Sequence, residues 1–229
     1  MSAGANRRRP FTPNPQSIMS SPIDTPNPAS AATWNERYQG DEYLFGTEPN
    51  QYLRDQSSLW KSGDRVLCVA DGEGRNSVWL ARQGVQVDAF DISEVGVNKA
   101  RKLARVAGVS VNYTVSDSDS FAWQTAAYDG VATIFNQFAD PEMRARMFAN
   151  MARCLKPGGL LVLLGYTPKQ LEYKTGGPPH LSHYYTPELL TTSFAGFDAI
   201  ELREWEADLK EGARHSGISA LIGFVARKR

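Results

Sequence analysis

The chain has little of what marks several large classes of protein. Only 2 of its 229 residues are Cys, too few for a disulfide framework. No charge of either sign dominates, because 25 Lys and Arg balance 25 Asp and Glu. Sequence-independent binding to nucleic acid rests on a clustered cationic excess, so no nucleic-acid partner is expected. The longest apolar runs, residues 159–166 and 217–226, are far shorter than the about 20 residues of a membrane-spanning helix. No membrane partner is expected either. Cys68 lies in an apolar run and Cys154 in a helical pattern. Both read as reduced core thiols, which fits a cytoplasmic chain. No internal repeat is apparent.

What is there divides into two materials. Residues 1–33 carry six prolines (Pro10, Pro13, Pro15, Pro22, Pro26 and Pro28) among Ser, Ala, Asn and Thr. That spacing opposes helix and offers little to bury. These residues are expected to form a disordered Pro-rich tail, locally basic at Arg7, Arg8 and Arg9. The prolines also oppose the amphipathic helix of a transit peptide. Residues 34–229 are expected to form one domain, long enough to bury its own core.

From Trp34 onward, strand and helix patterns alternate. Residues 49–60 read as a helix with Pro49 in its first turn. Residues 65–70 are a short, nearly continuous apolar run, the mark of a strand buried on both faces. A helix over 74–82 is ended by Gly84, and a second strand covers 85–90. Ser93 caps a helix that runs to Ala107, with Gly108 beyond it. Strands follow at 109–115 and 129–135. Asp140 and Pro141 open a helix whose Met143, Met147, Phe148, Met151 and Leu155 share one face. Lys156-Pro157-Gly158-Gly159 turns the chain into a fifth strand over 160–165. Thr186-Pro187 opens a helix to Phe194, and strands at 197–205 and 217–226 form a closing hairpin. The pattern predicts a three-layer, doubly wound α/β fold, with a mostly parallel seven-stranded sheet and an antiparallel last strand.

The chemistry starts at the first strand and turn, Val66-Leu67-Cys68-Val69-Ala70-Asp71-Gly72-Glu73-Gly74-Arg75-Asn76. Strand, Gly-x-Gly, helix is a nucleotide-binding arrangement, since glycine lets backbone approach a ligand. Strand two ends in Asp91, placed to accept hydrogen bonds from ribose hydroxyls. Strand three ends in Asp117, followed by Ser118, placed to meet an adenine edge. A dinucleotide fold favours Gly-x-Gly-x-x-Gly with pyrophosphate on the helix N-terminus. Here Ser77 takes the third position and Glu73 sits inside the loop. An acid there repels pyrophosphate and tolerates an ammonium and a sulfonium, which favours S-adenosylmethionine over NAD.

With these residues the chain resembles the class I S-adenosylmethionine-dependent methyltransferases. Within them it looks like the branch of tellurite-resistance and thiopurine S-methyltransferase-like proteins. The resemblance covers roughly residues 34–227. It rests on residues 66–76, on Asp88-Ala89-Phe90-Asp91-Ile92-Ser93, on Lys156-Pro157-Gly158-Gly159 and on the terminal hairpin. It rests also on residues 34–38 and 43–50. Cys68 departs from the pattern, since many relatives carry an acid there. The resemblance implies the seven-stranded Rossmann-like methyltransferase fold. It implies that Gly72, Glu73 and Gly74 form the loop beneath the methionine end of the cofactor and that Asp91 holds the ribose. Ile92 would touch the adenine, Asp117 and Ser118 would reach its amino group, and Asn136 would lie beside the methionine end. Tyr38, Tyr43 and Phe45 would form a lid.

The acceptor is expected to be a small molecule, such as a thiol, a thiopurine or a chalcogen oxyanion. Ligands of open α/β sheets bind at the C-terminal edge. If the penultimate strand runs parallel to strand five, the loop after strand five and the final hairpin turn both open there. All 3 His of the chain lie in these two loops. His215, His183 and Tyr185 are therefore the candidate substrate contacts, with His180, Tyr166, Tyr173, Lys174, Tyr184 and Arg214 nearby. The Asp/Asn-Pro-Pro-Tyr/Phe tetrapeptide of amino-methylating DNA enzymes is missing after strand four, where the chain reads Phe135-Asn136-Gln137-Phe138. No metal is expected, and the chain is taken as a monomer or homodimer. An NAD(P)-dependent oxidoreductase and a non-catalytic cofactor-binding protein remain as alternatives.

Overall fold

The alternation read from the sequence is built as one sheet with helices on both faces. The computed structural model of the protein describes residues 1, 30–212 and 215–229. Most of the expected tail, and Arg214, lie outside the described residues. The helices are α1 (Ala31–Arg37), α2 (Gln51–Asp55), α3 (Arg75–Arg82), α4 (Glu94–Ala107), α5 (Pro141–Cys154), α6 (Gln170–Tyr173) and α7 (Pro187–Ser193). The strands are β1 (Arg65–Val69), β2 (Gln86–Asp91), β3 (Asn112–Val115), β4 (Tyr128–Ile134), β5 (Leu155–Tyr166), β6 (Phe197–Glu211) and β7 (His215–Lys228). The strand order is β3-β2-β1-β4-β5-β7-β6. The first five strands pair in parallel, and β7 is antiparallel to both β5 and β6. β6 therefore runs parallel to β5, and the β6–β7 turn opens at the same edge as the glycine loop. This is the seven-stranded sheet expected.

Side chains of β1 alternate between two cores. Leu67 and Val69 pack toward Met147, Phe148 and Met151 of α5 and Leu190 of α7. Val66 and Cys68 pack toward Leu53 of α2, Trp60 and Leu80 of α3. Burial on both faces is why this strand reads as an unbroken apolar run. Both Cys are free and buried, and burial pushes each thiol up, Cys154 to about 12. The caps follow the local chemistry. Ser93 Oγ accepts the Gly96 N–H at 3.0 Å, and Asp140 Oδ1 accepts the Met143 N–H at 2.8 Å. Thr186 Oγ1 accepts the Leu189 N–H at 3.2 Å.

Several boundaries differ from the sequence reading. α1 begins ahead of residue 34, because Ser30 Oγ accepts the Thr33 N–H at 3.2 Å and caps it. The helix expected over 49–60 is only Gln51–Asp55, followed by a 3-10 turn at Ser57–Leu59; Asn50 caps it, so Pro49 precedes the first turn and is not in it. The third strand begins at Asn112, not Val109. Lys156-Pro157-Gly158-Gly159 lies inside β5, opposite a register break at Tyr128 and Gly130. The loop after β5 contains α6 and a 3-10 turn at Leu181–His183. The largest difference is the hairpin. β6 and β7 pair from Phe197↔Lys228 to Glu211↔His215, so the turn lies well beyond the expected strand ends. β6 is the outermost strand, and its alternation is of charged and half-buried residues, a weak strand signal.

Candidate active site

Each strand of the parallel half delivers one feature to the C-terminal edge. After β1, Ala70 takes a left-handed φ of 47° and Gly72 one of 61°, which turns the chain sharply. A Cβ on Gly72 would stand 2.6 Å from the Tyr38 hydroxyl. β2 ends at Asp91, whose Oδ2 accepts the Gly72 N–H and whose Oδ1 accepts the Ser93 N–H, both at 2.8 Å. One carboxylate thus ties two loops together. Burial raises Asp91 to about 6, against these two hydrogen bonds, which favour the charged form. Burial also raises neighbouring Asp71 to about 7, with the Ser77 hydroxyl bonded to it and the Asp91 charge beside it. After β3, Asp117 accepts the Asp119 N–H at 2.8 Å, and the Ser120 N–H and hydroxyl at 2.7 Å and 2.9 Å. Its carboxyl is slightly buried, and the Ser120 and Asp119 hydrogen bonds hold it below the usual range. After β4, Phe135 has φ 59°, and Asn136 Nδ2 donates to Val69 O and Thr133 Oγ1, each at 2.7 Å.

These ends enclose a cleft lined by Gly72, Asp91, Ile92, Asp117, Ser118 and Asn136. Ser118 Oγ is buried and has no hydrogen-bond partner among the described residues. A buried orphan hydroxyl in a cleft wall calls for a polar ligand atom. The acid at Asp91, the glycine backbone at Gly72 and the orphan at Ser118 suit a ribose, a close chain and a nucleobase edge respectively.

Three residues expected at the cofactor do not line this cleft. Glu73 Oε2 accepts the Leu44 N–H at 2.7 Å, and its Oε1 pairs with Lys99 Nζ at 2.5 Å. Its charge is spent on holding residues 42–45 to α4, so Asp71 and Asp91 provide the negative field in its place. Tyr43 donates its hydroxyl to Lys99 O at 3.1 Å, on the same side as Glu73. Gly74 is the left-handed residue before α3, and a Cβ there would come within 2.6 Å of Ala100 Cβ. It is small so that α3 and α4 can meet.

Of the expected substrate contacts, His215 is at the site and two are behind it. His183 is buried with Nδ1 2.9 Å from Gln137 O. Tyr185 is buried, donates to Asn136 O at 3.1 Å and packs on Phe148. Both brace the turn after β4 from its rear. His180 is exposed beside His183. His215, the first residue of β7, packs against Phe45 and Phe135 with ring centroids 4.5 Å and 4.4 Å away. Its Nδ1 is 3.8 Å from Glu211 Oε2. Burial lowers its pKa, the Glu211 carboxylate acts against that, and the Arg75 charge lowers it further. The ring is therefore neutral at pH 7.

A second, wider cleft adjoins the first. Phe45, Phe135, Phe138 and His215 belong to both. Tyr166, Lys174 and the 175–179 turn line its far side. The sequence reading assigned no role to Arg75, Phe135 or Arg37. Arg75 had a detectable signal: a cation in the first turn of a helix opposes the helix dipole and implies an acidic partner. That partner is Glu211, at 2.8 Å. Among the described residues, no three His, Cys, Asp or Glu side chains are grouped to hold a metal ion, and no helix is long and apolar enough to cross a membrane.

Comparison with known proteins bears on the family and the fold. A methyltransferase-domain family model matches residues 66–159, from β1 to the start of β5. A ubiquinone biosynthesis O-methyltransferase of Xanthomonas campestris pv. campestris is 32% identical over 180 residues, covering 75% of this chain and 74% of that protein. Uncharacterised mycobacterial proteins are 30% identical over 110 residues; that match covers 48% of this chain and 39% of theirs. Among solved structures, one described by the conversion of a disulfide bond into a thioacetal group during echinomycin biosynthesis has a TM-score of 0.71 at 15% identity, covering 87% of this chain and 89% of that one. TehB from Haemophilus influenzae has a TM-score of 0.65 at 17% identity, covering 87% of this chain and 67% of that one. The fold is thus that of a nucleotide-cofactor-binding transferase. The chain belongs to the S-adenosylmethionine-dependent methyltransferase family.

Proposed function

We propose that this chain transfers the methyl group of S-adenosylmethionine to a small-molecule acceptor. The cofactor occupies the first cleft and the acceptor the second. The observation that carries this reading is the shared wall of Phe45, Phe135, Phe138 and His215, where the two clefts meet. When bound, the cofactor supplies a methyl on a sulfonium and leaves as a neutral thioether. Asp91 accepts from the ribose hydroxyls, Ser118 bonds the adenine edge and Ile92 covers it, while Asp117 shapes the turn beside it. Gly72 gives the methionine end its backbone approach, with Asn136 alongside. Tyr38 and Phe45 exclude water from above. Alignment of the two clefts is the protein's main contribution.

A thiolate or chalcogen oxyanion needs no base, and the branch resemblance supports that acceptor. An oxygen acceptor is favoured by one feature of this site. The neutral His215 ring at the shared wall is able to take a hydroxyl proton, and Glu211 beside it stabilises the imidazolium. With a phenolic acceptor, His215→Ala is expected to lower kcat by about 10²–10⁴-fold and to remove the acidic limb of the pH–rate profile. With a thiolate acceptor, kcat is expected to change little.

Calorimetric titration with S-adenosylhomocysteine, with NAD and NADPH in parallel, tests the cofactor. Binding of the first alone is expected; binding of a nicotinamide dinucleotide alone overturns the assignment. Affinity for S-adenosylmethionine is expected to rise as pH rises through about 6 and about 7, where Asp91 and Asp71 ionise in the ligand-free protein. A cation favours the deprotonated acids, so a flat profile across that window counts against their part in binding. Gly72→Val puts a branched side chain at φ 61° and against the Tyr38 hydroxyl, and is expected to abolish S-adenosylhomocysteine binding. Circular dichroism reports whether the variant is folded, and normal affinity in a folded variant refutes the loop's role.

A further inference from the structure

The two clefts differ in charge. The first is lined by Asp71, Asp91 and Asp117 with Arg75. The second has Arg37 and Lys174 among its lining residues and no Asp or Glu. The chain as a whole has net charge 0, so this separation is local. Arg37 rests over the Trp34 ring, 4.8 Å from its centroid. Among the described residues, no carboxylate pairs with Arg37 or Lys174, whereas Arg75 and Lys99 beside the first cleft are both paired.

The rim that carries Lys174 is fixed in place. Lys174 caps α6 with φ 55°. Gln170 Nε2 donates to Thr175 Oγ1 at 2.9 Å, and Thr175 Oγ1 donates to Ile218 O at 2.6 Å. The Tyr184 hydroxyl donates to Pro178 O at 2.6 Å. The lining is aromatic as well, with the Phe135 and Tyr166 rings stacked at 4.6 Å. Such a surface suits a flat apolar body and carries two unpaired cations in the same lining.

We propose that the methyl acceptor is a planar aromatic molecule with an anionic oxygen substituent, which docks on Arg37 and Lys174 while its nucleophilic atom reaches the wall shared with the cofactor cleft. This rests on the methyl-transfer reading and adds the class of acceptor to it. The anionic group is separate from the nucleophile, so its charge is the same before and after transfer. It holds the acceptor in one orientation and rejects the neutral analogue. The acidic field stays on the cofactor side, where the ligand is cationic.

The test is calorimetry on the full chain saturated with S-adenosylhomocysteine. The probes are 4-hydroxybenzoate and its uncharged counterpart 4-hydroxybenzamide at pH 7. The benzoate is expected to bind about tenfold more tightly, the scale of partly exposed charge pairs. That preference is expected to fall in Lys174→Gln, to vanish in Arg37→Gln/Lys174→Gln and to weaken with added salt. Both variants are expected to keep the wild-type affinity for S-adenosylhomocysteine, which serves as the folding control. Equal affinity for the two probes overturns the proposal, and so does a preference that survives the double variant. Failure of both probes to bind at low-millimolar concentration overturns it too, provided S-adenosylhomocysteine is bound. Failure of S-adenosylhomocysteine itself to bind overturns the methyl-transfer reading instead.

Discussion

Asp91→Ala is expected to weaken binding of S-adenosylhomocysteine by about 1–3 kcal/mol, or roughly 5- to 150-fold in Kd. The carboxylate has two duties. It already accepts the N–H groups of Gly72 and Ser93 at 2.8 Å each, and it lines the cleft proposed to take the ribose. Alanine removes the ligand contact and also releases the glycine loop from the α4 N-terminus. Asp91→Asn separates the two effects. Its amide oxygen is able to accept one of the two N–H groups, so the loop stays partly anchored while the charge is lost. The expected order of affinity is wild type, then Asn, then Ala. An unchanged Kd in Asp91→Ala would falsify the ribose role. Thermal unfolding of each variant without ligand reports the anchoring separately.

Glu211→Ala is expected to cost about 3–5 kcal/mol of stability, because it leaves the Arg75 guanidinium buried without its partner. The two side chains are 8% and 12% exposed, at 2.8 Å. Glu211 also accepts from Asn50 Nδ2 at 2.9 Å and 3.1 Å and from the Gln51 N–H at 3.3 Å. It thus joins α2, α3 and the tip of the hairpin, while Arg75 continues to Phe45 O at 3.2 Å. Burial raises Glu211, but the His215 ring, Arg75 and Asn50 outweigh burial and hold it at about 2. Its unfolded value is about 4.3, so its contribution is fully present above that pH and is lost as pH falls toward 2. The wild type is expected to lose stability on acidification through that window, and Glu211→Ala to lose less. The double variant Arg75→Met/Glu211→Leu is expected to recover much of the loss seen in Glu211→Ala. A single variant as stable as wild type in denaturant titration rules out the clamp.

The fold was legible where burial is symmetrical. Residues 65–70 and 160–165 carry apolar residues on both faces, and nothing but a central strand fits so short a run between turns. The hairpin was legible in kind and not in extent. Trp205 through Glu211 alternates with Glu206, Asp208 and Lys210, and that charge hid the rest of β6. The place of Asp91, Ile92, Asp117 and Ser118 in the cleft lining was legible because a strand end fixes where the next residues emerge. Glu73, Gly74 and Tyr43 are close to the cleft in sequence, but their side chains or small size answer to α4, at Lys99 and Ala100. No pattern along the chain encodes that choice, which is made by packing across more than twenty residues. His183 and Tyr185 sit in the right loop and turn inward for the same kind of reason, to satisfy carbonyls of Gln137 and Asn136.

The outer position of β6 bears on how the protein behaves at high concentration. An edge strand exposes unpaired backbone donors and acceptors, on which another chain's strand can add. A molecule with net charge 0 has no long-range repulsion to keep copies apart. Arg203, Glu204, Glu206, Asp208 and Lys210 are exposed along that edge, and a neighbour's strand would have to strip water from them to dock. The charges that obscured β6 in the sequence therefore guard the open side of the sheet against intermolecular strand addition, at the margin farthest from the glycine loop.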